Sequence, residues 1–207
     1  IPFVPFRRNV AIQKHHGEGL PHWRQEGCTY FVTFRTADSL PGEVLREFKE
    51  DRLLWMEAEE RSVEEMEQHS QMMNARWNEA LDRGSGSCPL RDRSLARFVE
   101  EALRYFAGDR LLLGDFVIMP NHVHALMTPL PGYALEDLLG SIKGVSARNI
   151  NRALGKSGAF WQEDSYDRLV RDWDELLGTQ AYIWNNPVKA GLKPDSLILG
   201  TANYLAM

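Results

Sequence analysis

Two histidines one residue apart, His122 and His124, are the first candidates for chemistry in this sequence. They open an apolar run, His-Val-His-Ala-Leu-Met, which follows a predicted tight turn at Pro120-Asn121. Successive side chains of a β-strand alternate between its faces, so both imidazoles are predicted to stand side by side on one open face of a sheet. Neutral imidazole is a common ligand for Zn, Mn, Fe and Cu. The pair therefore indicates half of a metal site, and a merely polar outward face explains the pattern about equally well.

A helix predicted near the end of the chain supplies groups that could complete such a site. Gly178, Tyr182 and Asn186 recur at intervals of four and therefore share one stripe of that helix. A metal held by two histidines and one amide oxygen keeps open positions, and a phenol one helical turn from that amide could attack a phosphate group polarised by the metal. Taken singly, the tyrosine is more simply explained by packing, and the asparagine by the helix end before Pro187. The combination favours catalysis.

The elements that would position these residues predict an α+β sandwich. The predicted strands are residues 29–36, a hairpin from about 110 to 128, and residues 167–171. The predicted helices are residues 94–106, about 135–154, and one that begins at a capping box, Asp172 to Glu175, and ends where Pro187 forbids its continuation. The order strand, helices, strand, strand, helix, strand, helix suits an antiparallel sheet of four or five strands with helices on one face.

An acidic helical insertion, at about residues 41–84, separates the first predicted strand from the rest of the sheet. Of the 29 acidic and 24 basic residues, 12 and 6 lie in this segment, which leaves 17 and 18 elsewhere. The net charge of −5 therefore still permits local basic patches outside it. Because forty residues exceed a typical helix, we predict two helices or a helical hairpin with a break near Ser62 or Ser70. The favoured role of this segment is a packed, solvated arm.

The composition is that of a soluble globular protein. A chain of 207 residues, with 43% hydrophobic and 26% charged residues, fits one domain over residues 1–207 that carries the insertion and an irregular, mildly basic N-terminal arm at residues 1–28. No apolar run approaches the roughly 18 residues of a membrane span, and the first residues lack the pattern of a signal peptide, so a cytoplasmic location is expected. Cys28 and Cys88 form no CxxC pattern and are expected to be reduced and structural.

Three separated motifs resemble one known family. They are His122-Val-His124 after Met-Pro-Asn, Trp161-Gln162 with Tyr166 beyond, and the segment from Tyr182-Ile-Trp-Asn-Asn-Pro to Leu192. Together, and in this order, they resemble the REP-associated tyrosine transposases, single-tyrosine members of the HUH superfamily, from Leu20 to about Leu192. The resemblance implies a ferredoxin-like sheet and an enzyme that cuts and rejoins single-stranded DNA near a hairpin, leaving a 5′-phosphotyrosine and a free 3′-hydroxyl. DNA transposition is the implied outcome.

The same resemblance assigns roles to individual residues. It implies that His122, His124 and Asn186 bind a divalent metal and that Tyr182 is the nucleophile, with Asn186 standing where many relatives have Gln. Oxygen ligands from amide, phosphate and water suit Mg²⁺ or Mn²⁺, because structural Zn²⁺ would require a closed tetrahedron. Tyr166, predicted to lie in a loop, and Tyr204, in the C-terminal tail, are expected to have other tasks.

The predicted partner is a single-stranded DNA hairpin, held by basic side chains. These are the N-terminal arm and six residues of the second half of the chain: Lys143, Arg148, Arg152, Arg168, Arg171 and Lys189. A monomer could act if Tyr182 lies beside the histidines of its own chain, and a homodimer could act if the helix is exchanged.

Two other classes of function remain open from the residues. One is a metal-dependent hydrolase with water as the nucleophile, for which Tyr182 would be dispensable. The other is a non-catalytic ferredoxin-like module that binds nucleic acid by stacking bases on exposed aromatic side chains, with incidental histidines. Metal affinity separates the second class from the others, and a covalent protein–DNA adduct separates the transposase from the hydrolase.

Overall fold

The computed structural model describes residues 1–7, 10, 13–15, 22–57, 63–193 and 196–204. The strands, in chain order, are β1 Gln13–His15, β2 His22–Arg24, β3 Tyr30–Arg35, β4 Leu111–Ile118, β5 His122–Pro129, β6 Tyr166–Leu169 and β7 Ile198–Gly200. Five of them form one antiparallel sheet in the order β6-β3-β5-β4-β7, and β1 and β2 form a separate two-stranded sheet. The predicted α+β class and antiparallel sheet are confirmed.

Five α-helices accompany the sheet in the described part of the chain. They are α1 Gly42–Glu57, α2 Val63–Asp82, α3 Arg93–Tyr105, α4 Leu135–Leu154 and α5 Trp173–Lys189. The predicted division of the acidic segment into two helices is confirmed. The predicted break at Ser62 falls in residues 58–62, outside the described residues, and Ser70 lies inside α2. Among the described residues, no helix combines the length and the apolar character needed to cross a bilayer.

Helices cover both faces of the sheet, which corrects the prediction that they lie on one face. The residues of β3 and β5 are buried at every position, so neither face can be left to water. The face that carries Val32 and Val123 packs against α3 and α4. The opposite face, which carries Phe31 and Leu126, packs against Leu176 and Ile183 of α5. Strands that are buried on both faces do not alternate regularly between apolar and polar residues. The sequence pattern therefore did not reveal the second layer of helices.

The helix α5 continues through Pro187 to Lys189, although Pro187 was predicted to end it. A proline in a helix lacks only its own amide donor, and so it removes one bond to the preceding turn. The turn after it is still closed, because the amide of Ala190 donates to the carbonyl of Asn186 at 3.0 Å and that of Leu192 donates to Pro187 at 2.8 Å. Asn186 therefore lies inside the helix and not at its end.

Polar contacts from two strands fix the position of α5. Asp172 caps the helix, because its Oδ1 accepts from the amide of Glu175 at 2.8 Å. The carboxylate of Glu175 accepts from the amide of Arg171 at 2.7 Å and pairs with Arg168 of β6. Near the middle of the helix, Gln180 donates to the buried carboxylate of Asp115 in β4. These bonds join α5 to β6 and to β4, which flank β3 and β5 in the sheet, and they hold the inner face of the helix over β3 and β5.

Two elements were not predicted from the sequence. The strand β7 pairs with β4 in a region assigned to an unexplained C-terminal tail, and Asp115 accepts from the amide of Ala202 just beyond it at 2.9 Å. The β1–β2 hairpin lies in the segment predicted as an irregular arm. All three strands have three residues, which are too few to show a period of two in the sequence.

Candidate metal and tyrosine site

The two histidines stand at the start of β5, on the face that α5 covers. Their Nε2 atoms lie 3.1 Å apart, and both side chains are fully buried. The prediction of one shared face is correct, since Val123 between them joins the core on the opposite side. The prediction of an open face is wrong, because Asp82 at the end of α2 and Tyr182 of α5 pack over the pair.

The other nitrogen of each imidazole is held by a neighbouring polar side chain. Nδ1 of His122 donates to Oδ1 of Asn121 at 2.8 Å, and the amide nitrogen of Asn121 donates to the carbonyl of Ser85 at 2.9 Å. Nδ1 of His124 lies 2.7 Å from Oγ1 of Thr33, its partner across the strands. A hydroxyl can accept from Nδ1 or donate to it, so Thr33 serves either tautomer. When Thr33 accepts from Nδ1 of His124, both Nε2 lone pairs are available to a ligand at the centre of the site.

Tyr182 meets the histidine pair from α5. Its hydroxyl lies 3.3 Å from Nε2 of His124, and its ring lies edge-on to both His124 and Phe31, with ring centroids 5.2 and 5.9 Å away. Phe31 in turn stacks on His124 at 5.4 Å. Burial, and then the charge of Asp82, raise the pKa of the phenol above its ordinary value. The hydroxyl is therefore protonated at neutral pH and needs a nearby cation to act as a nucleophile.

Two further oxygen donors are candidates for the site: Asp82 faces the histidine pair, and Asn186 lies close to Asp82 and Tyr182. Oδ1 of Asp82 lies 3.9 Å from Nε2 of His122, and one ligand atom from each of Asp82, His122 and His124 fits within 4.8 Å of the others. Asn186 is fully buried one turn after Tyr182. Burial raises the pKa of Asp82, and the charge of Lys189 and the amide of Asn186 offset part of that rise. Neither the oxygen nor the nitrogen of the Asn186 amide meets hydrogen-bond geometry. Sequence reasoning missed Asp82, because no local signal links the end of α2 to a strand forty residues later.

These residues fit a divalent cation. Two imidazole lone pairs 3.1 Å apart repel each other unless a proton or a cation lies between them. Oδ1 of Asp82 and the amide oxygen of Asn186 are buried without hydrogen bonds, which costs free energy unless another partner satisfies them. A mixed set of nitrogen and oxygen donors with an acidic member suits a divalent cation. The acidic member also supplies negative charge that offsets part of the cost of burying a cation.

Burial makes the stability of the metal-free protein depend on pH. It lowers the pKa of His122 to about 3 and that of His124 well below its usual value, whereas both would be near 6.5 in the unfolded chain. Below pH 6.5 the unfolded state binds the extra protons, so the free energy of unfolding should fall as the pH drops, by about 2 kcal/mol for His122 at pH 5. Urea titrations in EDTA at pH 7 and pH 5 measure this difference. A difference that persists in a variant with both histidines changed to Gln would show another cause.

A cleft of about 1120 Å³ opens between α2 and α5 and reaches Tyr182. Its floor includes Phe31 of β3. Acidic and basic side chains alternate along its walls, and they are Glu79, Asp82, Arg83, Arg168, Glu175 and Lys189. The ammonium of Lys189 lies 5.5 Å from the centre of the Tyr182 ring. The cleft gives a solvent-filled approach to a site whose histidines are themselves buried.

The structure brings only some of the predicted basic residues to this cleft. Arg168 and Lys189 line it, and the backbone amide of Arg171 donates a hydrogen bond to Glu175, which also lines it. Lys143, Arg148 and Arg152 lie on α4, which packs on the opposite face of the sheet. The ammonium of Lys143 donates to the carbonyl of Glu163 at 2.5 Å. The predicted set therefore divides into a group beside Tyr182 and a group behind the sheet.

The sequence from Asp92 to Asn186 matches a family model described as IS200-like transposase. Over these residues the chain is similar to the IS200-like transposases. The matched region contains β4, β5 and most of α5, and so both histidines, Tyr182 and Asn186. It excludes α1 and α2, and Asp82 with them. The predicted resemblance to tyrosine transposases is confirmed by this match.

Two comparisons with individual proteins accompany the family match. The chain is 30% identical over 97 residues to an uncharacterised protein of Haemophilus influenzae, covering 37% of this chain and 54% of that protein. The chain thus spans about half the length of this curated relative. A solved structure of a REP-associated tyrosine transposase bound to a REP hairpin has a similar fold, with a TM-score of 0.51 and 17% identity over 84% of this chain and 75% of that one. The latter similarity concerns the fold alone.

Proposed function

We propose that this protein is a transposase that cuts and rejoins single-stranded DNA through a covalent bond between Tyr182 and a 5′-phosphate. The observation that carries the proposal is the position of the Tyr182 hydroxyl, 3.3 Å from Nε2 of a histidine whose partner histidine lies a further 3.1 Å away. A nucleophile and a candidate metal site are thus adjacent at the end of a cleft. A packing tyrosine would not require this constellation.

The proposed chemistry exchanges one ester for another. The phenol oxygen of Tyr182 attacks the scissile phosphorus, the bond to the 3′ oxygen of the preceding nucleotide breaks, and the phenol proton leaves to solvent. The 3′ oxygen takes up a proton from solvent and leaves as a hydroxyl, and the phosphotyrosine retains the ester needed for rejoining. A bound Mg²⁺ or Mn²⁺ would neutralise the phosphate and favour the phenolate. His122, His124, Asn186 and Asp82 are the side chains that would hold it.

The arrangement within one chain supports action by a monomer. Tyr182 lies beside the histidines of its own chain, so the site is complete without exchange of α5 between two copies. The sequence-based alternatives of a homodimer and of a cytoplasmic location remain predictions. A water-using hydrolase is less well supported, because a buried phenol occupies the place beside His124 where its water would stand.

The proposal is tested by looking for the adduct. The protein is incubated with Mn²⁺ and a panel of end-labelled single-stranded hairpins, including REP-like ones, since the structurally similar transposase was solved with a REP hairpin. Denaturing electrophoresis should reveal a protein–DNA band that is absent when EDTA is present. Cleavage without any adduct would favour the hydrolase, and metal-free binding without cleavage would favour the non-catalytic module.

The two groups of basic residues should differ in how they affect binding. Lys189→Ala is expected to weaken binding of a single strand without a hairpin and to reduce the slope of log affinity against log salt by about 0.7, because one phosphate contact near Tyr182 is lost. The triple variant Lys143→Ala, Arg148→Ala, Arg152→Ala should reduce the slope by about 2.7 for hairpin DNA, if α4 holds the duplex stem. Fluorescence anisotropy over a range of salt concentrations measures both.

A matched control for this experiment is Arg104→Ala. Arg104 is exposed on α3 and pairs with Glu100, so its loss changes the net charge by the same unit away from the cleft. If the triple variant binds hairpin DNA as the unaltered protein does, then α4 is not the hairpin surface.

A further inference from the structure

The acidic insertion places a carboxylate inside the candidate metal site. Asp82 is the last residue of α2, and its side chain is 14% exposed with Oδ1 directed at His122 from 3.9 Å. That oxygen has no hydrogen-bond partner. One ligand atom from each of Asp82, His122 and His124 lies within 4.8 Å of the others. A buried carboxylate oxygen without a hydrogen bond is unfavourable unless a cation joins it to these neighbours.

The insertion is anchored on the site face of the sheet. Trp77, five residues before Asp82, lies over the guanidinium of Arg35 at 4.9 Å and stacks on Phe48 of α1 at 4.3 Å. Directly after α2, the carbonyl of Ser85 accepts from Asn121, the residue that also binds His122. The end of α2 is therefore tied to the same turn that orients the histidine. The orientation of Asp82 follows from these contacts on both sides of it.

The same carboxylate lies on the wall of the cleft through which a DNA strand would reach Tyr182. A phosphodiester next to an uncompensated carboxylate in a partly buried cleft is repelled more strongly than it would be in water. The ammonium of Lys189 is close enough to offset part of the rise in the pKa of Asp82, but it lies on the Tyr182 side of the cleft. A divalent cation held between Asp82 and the histidines would reverse the local charge and attract the strand.

We propose that Asp82 is a metal ligand that makes strand binding depend on the metal, so that the insertion couples the two binding events. Without a divalent cation, Asp82 opposes entry of the DNA backbone, and with one bound it helps to hold the cation that attracts the backbone. This inference rests on the proposed function for the identity of the strand. It assigns a task in the active site to a segment that lies outside the family match.

Thermodynamic linkage gives the coupling a measurable form. If Mn²⁺ tightens DNA binding by some factor, DNA must tighten Mn²⁺ binding by the same factor. In the protein with Asp82 we expect a factor of about tenfold or more, within the usual range for coupled sites. In Asp82→Asn the factor by which Mn²⁺ tightens DNA binding should fall toward one. The negative charge that repels the strand in the absence of metal is gone, and the variant also binds the metal less tightly.

The experiment measures two affinities in a Tyr182→Phe background, which prevents covalent capture. Calorimetry without DNA gives the Mn²⁺ affinity, which should fall about tenfold or more in Asp82→Asn and in Asp82→Ala. Anisotropy with a mixed-sequence single strand, in EDTA and in Mn²⁺, gives the coupling. In EDTA, Asp82→Asn should bind the strand more tightly than the protein with Asp82, and in Mn²⁺ this order should disappear or reverse.

Glu79→Gln is the matched control. Glu79 lies on the same helix and lines the same cleft, but it is an exposed residue paired with Arg83. Its neutralisation should strengthen strand binding by a similar small factor in EDTA and in Mn²⁺, and it should leave the Mn²⁺ affinity unchanged. Coupling in Asp82→Asn that equals the coupling in Glu79→Gln would overturn the inference.

The outcome is separable from that of the proposed function. Mn²⁺ affinity and coupling are binding measurements that do not require strand cleavage. An adduct on Tyr182 together with unchanged coupling in Asp82→Asn would reject the role of Asp82 alone. Loss of coupling in Asp82→Asn without any adduct in the unaltered protein would instead reject the nucleophile.

Discussion

Tyr182→Phe is expected to bind single-stranded hairpin DNA and Mn²⁺ and to form no covalent adduct. Phenylalanine keeps the ring that packs edge-on against His124 and Phe31 and removes only the hydroxyl. Loss of its contact with His124 should cost about 1 kcal/mol of folding stability. Cleavage should fall roughly 10⁴-fold or more, as when other covalent catalysts lose their nucleophile. Denaturing electrophoresis of an end-labelled hairpin measures the adduct directly.

Tyr166→Phe and Tyr204→Phe are the controls for this prediction, and both should still cleave. Tyr166 is the first residue of β6 and not part of a loop as the sequence suggested, and it pairs with Thr33 on the site face. Its hydroxyl is buried. Tyr204 packs against Phe3, and its hydroxyl is directed at Gly114 of β4. A protein–DNA band that persists in Tyr182→Phe and disappears in Tyr166→Phe would mean that the nucleophile is misassigned.

Replacing either histidine with alanine is expected to abolish both metal binding and strand cleavage. Loss of an outer hydrogen-bonding partner of a metal ligand typically lowers metal affinity roughly 10- to 100-fold, and loss of the ligand itself should exceed this. Calorimetry with Mn²⁺ and the adduct assay measure the two effects. Asn186→Ala should weaken Mn²⁺ binding less than either histidine change, and part of its cleavage should return at high Mn²⁺.

His122→Ala and His124→Ala should also lower the free energy of unfolding, which the sequence did not indicate. An outward-facing pair would have tolerated alanine without loss, but His122 and His124 are fully buried and packed against α5. Each change should therefore leave a cavity and cost about 2 kcal/mol or more. Circular dichroism must show that each variant is folded before its activity is interpreted. Full cleavage by the unaltered protein in EDTA would end the metal hypothesis.

Local periodicity in the sequence determined much of the site. The alternation of a strand put His122 and His124 on one face, and the repeat of a helix put Tyr182 and Asn186 one turn apart. The prediction of α4 over residues 135–154 has the bounds that the structure shows. Within a strand or a helix the direction of a side chain follows from the local backbone geometry. These features could therefore be inferred before the tertiary structure was known.

The sequence failed where a position depends on residues far away in the chain. Val145 of α4 is apolar yet 38% exposed, because α3 and the sheet cover a narrower stripe of the helix. On α5 the apolar residues Leu177 and Trp184 are 48% and 49% exposed, because this helix contacts the sheet through Leu176 and Ile183. A hydrophobic pattern tells which residues can be buried and does not tell which surface will cover them.

The sequence by itself therefore determined the chemical types of the site: two imidazoles on one strand, a phenol and an amide on one helix, and an antiparallel sheet to carry them. Only the tertiary structure decided that helices cover both faces, that the histidines are buried, and that Asp82 enters the site from an insertion forty residues away. The physical reason is that a side chain's direction follows from local backbone geometry, whereas burial and ligand sets arise from contacts between distant elements. Such contacts leave no periodic mark in either segment.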